Sequence, residues 1–560
     1  MRNRALLTAG IMLVLTMEAL GSEARRLTIG LNFTGSTSSV DSFFIPPDTL
    51  GAVGVSHIVE LINGRYSVYR KSDGVRLQTS SLDQFWINAG ASPSGFTADS
   101  RLLYDPFSQR WFASTGDFNF NPGGGDHLLF AVSKSSDPTS GWKGFTIPFS
   151  GPVGTFIDFP TLGSNRDGVY LYSNGAVVVL PKNDLLAAVP TIAHATVLKS
   201  TGLLTPTGSK LQPVVDLDNA GLPEALMAEF DIPGTEFRRS NITGAAASPV
   251  LDTSDGFISV TPFAGLGNVG AEQPDSAVTI STGSLDFVSS VILRNGVIWG
   301  VHTIANERRA ALRWFAIDAS TNAVLQEGLI ADPNQDVYMG SIAVNEFNDV
   351  VIGFNESSAT QFASSYAVLG TTTGGVTTFG TPLLLRAGVS RYELTGGAIT
   401  ARWGDYSATV VDPTDPFTFW TFQEWVSAEN TWATQITQLK VINGETAPPV
   451  ITVSASAATL WPPNGKMIPV TVAGTITSGS GVNASTAAYA VTDEYGLVQP
   501  SGRVTLGPNG SYSFTIQLQA SRNGNDKDGR HYTVAVSAQD SAGKKGTAAT
   551  SVTVPRDLAH

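Results

Sequence analysis

The chain has 560 residues, 47 of them acidic against 34 basic for a formal charge of −13, and it contains no cysteine. Disulfides and a cysteine-linked lipid anchor are excluded, and a surface of this sign disfavours nucleic acid and anionic membranes as partners. With 57 Gly, 30 Pro and only 14% charged residues, the composition suits many short strands joined by tight turns.

At the start, Arg2 and Arg4 precede an apolar run from Ala5 to Leu20, which leads into the small-residue site Ser22-Glu23-Ala24. This is the three-part build of a secretory signal, residues 1–24, with cleavage expected after Ala24. The run is short for a membrane span of about 20 residues. No second run of spanning length follows, so the expected product is secreted (extracellular, cell-surface or periplasmic) and has no integral membrane segment after cleavage.

Leu27, Ile29, Leu31 and Phe33 alternate as one strand ahead of a degenerate repeat. Each repeat is a small or apolar strand, a polar turn and a second strong strand, as in LGAVGVSHIVELI, SRLLYDPFSQRWFAS, PTLGSNRDGVYLYS and QPVVDLDNAGLPEALMA. It recurs as SSVILRNGVIWGVH, GSIAVNEFNDVVIGF and YSATVVDPTDPFTFWTF. The turns begin near Val55, Asp105, Ser164, Asp216, Arg294, Asn345 and Asp412, roughly 60 residues apart on average, which is enough for the four strands of a propeller blade.

Residues 25–445 are therefore expected to form an all-β, seven-bladed β-propeller without an amphipathic helix of ordinary length. The strand at 27–33 is expected to close the ring on a strand around Ile436–Ile442, removing an exposed edge; a plain extended arm is the alternative. Residues 446–449, ending in Pro448-Pro449, read as a linker. Residues 450–560 carry short Thr/Val/Ala-rich strands (VITVSAS, MIPVTVAGTI, SYSFTIQLQ, YTVAVSAQD) and predict an immunoglobulin-like β-sandwich without the Cys and core Trp of antibody domains.

The phrases PPDTLGAVGVSHIVELIN, RLLYDPFSQRWFAS, FPTLGSNRDGVYLYSN and RWGDYSATVVDPTDPFTFW resemble those of a group of secreted bacterial β-propeller proteins, largely of unknown function. LWPPNGKMIPVTV and DKDGRHYTVAVSAQDSAG look like the bacterial immunoglobulin-like modules attached to exported proteins. The resemblance implies a fold and carries over no catalytic residue.

Five repeats place an aspartate six to eight residues before the turn: Asp48, Asp99, Asp158, Asp286 and Asp405. On the innermost strands of a propeller these carboxylates would converge on the channel mouth and could supply oxygens to Ca²⁺. The alternative is that each Asp accepts backbone N–H bonds where its strand begins. Arg101, Arg402 and Trp403 accompany them as candidate ligand-binding residues, the arginines either holding an anionic sugar or pairing with Asp99 and Asp405. Trp86, Trp142 and Trp425 fall near loops and could stack on sugars, whereas Trp111, Trp299, Trp314 and Trp420 read as core.

Glycoside hydrolysis needs two carboxylates at a defined separation and lyase chemistry needs a base; Asp99, Asp158, Asp405, Tyr406 and His302 are the weak candidates. Asp526 and Asp528 resemble half of a calcium loop, which Asp493, Glu494 and Asp540 could join, though a polar hairpin turn explains them equally. Two readings stand: an exported recognition or adhesion protein whose propeller binds an extracellular glycan or protein ligand, and a secreted polysaccharide-active lyase or hydrolase.

Overall fold

A computed structural model describes residues 25–119, 126–148, 157–173, 175–199, 210–230, 234–254, 256–267, 269–284, 286–443, 448–478, 481–540 and 543–557. The expected signal, 1–24, and part of the expected linker lie outside them. Two compact units follow one another, Leu27–Val441 and a C-terminal unit from Ile442. Among the described residues, no helix is long and apolar enough to cross a membrane.

The first unit is all-β and propeller-like, a succession of small antiparallel sheets. In each sheet the strands pair in chain order, the first being the inner strand of the propeller-like arrangement. The first holds Gly51–Val53, His57–Ile62, Arg65–Arg70 and Arg76–Ser81; the second holds Phe96–Asp105, Arg110–Phe118, His127–Ser133 and Trp142–Pro148. Thr161–Ser164, Gly168–Ser173, Ala176–Pro181 and Thr196–Lys199 make the third, and Gln212–Pro213, Glu224–Phe230, Glu236–Thr243 and Val250–Asp252 the fourth. The fifth is Ile292–Arg294, Val297–Asn306, Arg309–Asp318 and Val324–Ile330, and the sixth Asp336–Val344, Val350–Ser358, Gln361–Thr373 and Val376–Phe379. Every repeat read in the sequence falls on the first hairpin of one sheet.

The last sheet contains Ala408–Asp412, Asp415–Ala428 and Thr431–Asn443, and its outer strand is Arg25–Thr37, from the other end of the unit. That is the partner expected for the N-terminal strand. Ser38 N donates to Trp432 O (2.9 Å) and Ser36 N to Thr434 Oγ1 (2.8 Å). Ser36 Oγ and Tyr69 OH both donate to the buried Glu60 carboxylate, at 2.6 and 2.9 Å, and Thr434 Oγ1 also bonds it, so one acid ties the first sheet to the last.

One feature departs from simple succession. Val215–Asp216 lies parallel between Thr161–Ser164 and Ile292–Arg294 and joins the third and fifth sheets edge to edge. A second device recurs at the inner turns. Lys182 Nζ meets Asp105 Oδ2 at 2.8 Å, linking third sheet to second, and Lys71 Nζ meets Asp412 Oδ1 at 2.9 Å, linking first to last.

Strands buried on both faces explain the near-continuous apolar runs: Gly168–Ser173, Ala176–Pro181 and Val350–Ser358 are buried throughout. Trp111, Trp299, Trp314 and Trp420 are core, as read from the sequence. Trp86, Trp142 and Trp425 are core as well, each at most 5% exposed, so they offer no stacking surface for a sugar. Trp86 sits on an eight-residue helix, Leu82–Ala89, which the sequence reading did not anticipate. Its ends are marked by Ser81, whose side chain accepts from Gln84 N, and by Gly90 in the left-handed region at φ 89°.

The C-terminal unit is a two-sheet sandwich. Val450–Ala455, Met467–Thr477 and Ser511–Gln519 face Ser501–Arg503, Val482–Asp493, Arg530–Asp540 and Lys545–Val554 across a core that includes Val470, Val472, Tyr532, Val534 and Val552. Arg530 and Asp493 form a fully buried pair (2.8 and 2.5 Å), with the guanidinium over the rings of Tyr495 and Tyr532. Burial pushes the Asp493 carboxyl up, but Arg530 and the backbone N–H groups of Val498, Tyr495 and Leu497 outweigh it and hold the acid well below the usual carboxylate range.

Two predictions follow from these buried pairs. Lys182→Met strands the Asp105 carboxylate, 3% exposed, and should lower stability by about 3–5 kcal/mol in urea unfolding. The folded-state pKa of Asp493 is depressed, so its contribution is complete above the unfolded value of about 3.9 and is lost as pH falls through the folded one. An acid titration of the C-terminal unit's unfolding should therefore be shallower in Asp493→Asn than in the parent.

Candidate functional site

Where the inner strands begin, the backbone repeatedly enters the left-handed region: Asp48 (φ 52°), Asp99 (58°), Phe159 (49°) and Met339 (55°). Asp tolerates this conformation better than most residues, whereas Phe and Met adopt it only where surrounding structure enforces it. The bend turns the chain into the inner strand and collects the side chains of neighbouring sheets at one end of the unit.

Asp48 is the hub. It is 1% exposed, and its carboxylate accepts from Asp405 N (2.9 Å) and Asn63 Nδ2 (2.7 Å), while Asn63 Oδ1 accepts from Asp99 N (2.8 Å). One hydrogen-bonded chain thus links Asp405, Asp48, Asn63 and Asp99. Arg402 forks onto Asp405, with Nη2 to Oδ2 at 2.6 Å and Nη1 to Oδ1 at 3.3 Å. The acidic row continues to Asp158, held by Lys210 Nζ at 2.8 Å, and to Asp286, which accepts from Lys210 N (3.1 Å) and Ser284 Oγ (3.1 Å).

The electrostatics follow from packing several acids around two cations. Burial, with Asp405 and Asp99 nearby, pushes Asp48 well above the usual carboxylate range, against partial relief from Asp405 N–H and the Arg402 charge. Burial and the charges of Asp405 and Asp158 raise Asp99 to about 7, against partial relief from Phe159 N–H and from a hydrogen bond with Asp48. Burial, and then Asp48, also pushes Glu424 up; its Oε1 has no hydrogen-bond partner. Glu229, raised by burial and Asp286, leaves both oxygens unpartnered.

Beneath the acids, Tyr406 is 2% exposed and its hydroxyl has no partner. Its ring packs against Phe159 (4.9 Å between centroids) and lies 4.5 Å from the Arg101 guanidinium. Arg101 is itself buried and is engaged by Gln212 Oε1 (2.8 Å) and Val288 O (3.4 Å), so it supports the site from within and does not face a ligand. Trp403 is fully buried, with Nε1 donating to Asn355 Oδ1 (3.1 Å) and its ring edge-on to Tyr392, so it too is structural. His302 is 0% exposed among Phe237, Phe263 and Phe287, with Nε2 3.4 Å from Arg313, a packing position in the fifth sheet.

The structure thus brings Asp48, Asp99, Asp158, Asp286, Asp405, Arg402 and Tyr406 together. Sequence reasoning missed Asn63, Lys210, Glu229 and Glu424. Glu424 was detectable as a lone acid inside FWTFQEWV, and Asn63 resembled an ordinary Asn-Gly turn. In the sandwich, Asp526 accepts from Tyr495 OH and from Gly529 N (3.0 Å), whereas the Asp528 side chain is 83% exposed and Asp493 is committed to Arg530. Among the described residues, no group of three or more His, Asp or Glu is placed to hold a metal ion.

No family model matches the sequence, and no curated protein matches it. Among solved structures the chain is similar, at 8% identity each, to the WD40 domain of SCAP from fission yeast (TM-score 0.30, 70% of this chain and 82% of that one) and to the Plexin A4 full extracellular region (0.38, 91% and 67%). Drosophila Semaphorin 1b, extracellular domains 1-2, is similar at the same identity (0.33, 74% and 87%). Similarity at this level says nothing about a ligand or a reaction.

Asp99 provides a test of the site. With its folded value near 7 and an unfolded value of about 3.9, the native state keeps a proton that the unfolded chain releases. The associated stability is complete below about pH 4 and is lost as pH rises through about 7. Asp99→Asn, which stays neutral, should melt with the parent at pH 4 and above it at pH 8 in paired thermal scans.

Proposed function

We propose that the chain is an exported recognition protein. In this reading the small sheets of the first unit are the blades of a seven-bladed propeller whose last blade is completed by the N-terminal strand, and the C-terminal sandwich is an immunoglobulin-like module. The signal-like segment at 1–24 and the resemblance to secreted propeller proteins support export.

The observation that carries the reading is the row Asp405–Asp48–Asp99–Asp158–Asp286, faced by Arg402 and Lys210. Half-exposed acids such as Asp158 accept hydrogen bonds from hydroxyl or ammonium groups, while Arg402 and Lys210 fix their orientation. A hydroxyl-rich neutral glycan, or an amine-bearing segment of a protein or sugar, suits that chemistry; a polyanion does not. Calcium belongs in the same screen, because carboxylate oxygens are its preferred ligands.

A second reading, a polysaccharide lyase or hydrolase, draws on one specific feature. Asp99, raised to about 7, lies beside the upward-shifted Asp48 and the unpartnered Tyr406 hydroxyl, and a carboxyl poised near neutrality suits general acid–base chemistry.

A thermal-shift screen against polysaccharides, Ca²⁺ and chelator, with reducing-end and unsaturated-product assays on each hit, tests both. Recognition predicts a concentration-dependent rise in melting temperature for one ligand class, as mass action requires, without product, and its loss in Asp405→Asn and Arg402→Gln. The reading fails if no ligand shifts the parent or if the shift survives both substitutions. Product that disappears in a folded Asp99→Asn variant would make the protein an enzyme.

A further inference from the structure

A second cavity lies on the same inner strands, toward their far ends, where each turns back into its hairpin. It measures about 310 Å³, and Ala52, Leu102, Val215, Ile292, Ala343 and Ala408, from five different sheets, contribute to its wall. A wall shared by that many inner strands places the cavity along the central axis. It lies further along the strands than the acidic row, since Leu50 follows Asp48 by two residues, Leu102 follows Asp99 by three and Ser407 follows Asp405 by two.

The chemistry of the wall is one-sided. Most of it is aliphatic, and its buried hydroxyls are already used within the protein: Ser407 Oγ bonds Ser341 Oγ (2.8 Å), and Thr409 Oγ1 bonds Ser341 Oγ (2.7 Å) and Thr421 Oγ1 (2.9 Å). A sugar or other polar ligand inside would give up its hydration for little in return, whereas a hydrocarbon chain gains by the same exchange.

Two donors in the wall stand apart. The Tyr104 hydroxyl and Arg294 Nε are buried atoms without a hydrogen-bond partner. Arg294 Nη1 reaches Leu217 O, but no carboxylate among the described residues pairs with the guanidinium. Of the two acids on this wall, Glu346 is solvent-exposed, and Asp412 is engaged by Lys71 (2.9 Å), Trp420 Nε1 (2.9 Å) and Thr414 (2.7 Å). The Arg294 guanidinium is a permanent cation in this apolar wall, which is complementary to an amphiphile with an anionic head.

We propose that this cavity binds a single-chain carboxylate amphiphile, with the hydrocarbon tail along the inner strands and the carboxylate on Arg294. The site is separate from the acidic row and does not depend on what binds there.

Isothermal titration of the full chain with laurate tests it, with dodecanol as the uncharged control. The parent should bind laurate saturably with a negative heat-capacity change, the mark of apolar burial. Arg294→Gln should weaken laurate by about tenfold or more, the worth of a charge-assisted bond, and leave dodecanol unchanged. Ala343→Phe, which fills the cavity, should abolish both; because a ring there can disturb folding, Arg294→Gln is the decisive variant. Absence of saturable laurate binding to the parent, or equal affinity in parent and Arg294→Gln, overturns the proposal.

Discussion

The pairing of Arg25–Thr37 with Thr431–Asn443 is the constraint on which the first unit depends. Without it the last sheet would present a bare strand edge, and the first sheet would lose the bonds that tie Glu60 to Ser36 and Thr434. With it, the inner strands Gly51–Val53 and Ala408–Asp412 become neighbours, Glu60 is buried among hydroxyls from three strands, and Lys71 reaches Asp412. Closing so large a loop costs conformational entropy that only long-range contacts can repay, so the bonds at this seam are many and mostly buried.

The candidate site is a product of the same closure. Asp405 N bonds Asp48 Oδ1 although 357 residues separate them. Once the first and last sheets meet, several carboxyls are forced into one region with two facing cations, and burial and mutual repulsion disfavour their charged forms. That is why Asp48, Glu424 and Glu229 are pushed up and Asp99 lies near 7.

The two ends of the inner strands differ in character because the strands differ along their length. At their starts they carry Asp and left-handed backbone, which concentrate charge. Further along, residues such as Leu102, Ile292 and Ala343 leave an aliphatic passage. A single set of strands therefore offers two chemically distinct surfaces.

Much of this was legible in the sequence for a local reason. A hairpin is specified by alternating apolar residues around a polar turn, so the repeats, the lone N-terminal strand and the recurring aspartates could be read directly. Burial was not legible in the same way. Trp86, Trp142, Trp403 and Arg101 look like surface or ligand residues when only their sequence neighbours are considered, yet each is covered by another sheet or helix. The parallel insertion of Val215–Asp216 and the roles of Asn63, Lys210 and Glu424 were equally hidden. The sequence by itself determined an all-β chain, where its hairpins turn and which acids recur. Which acids are brought together and which cations face them depends on the tertiary fold, because those energies are set by distances and solvent exposure between residues hundreds of positions apart.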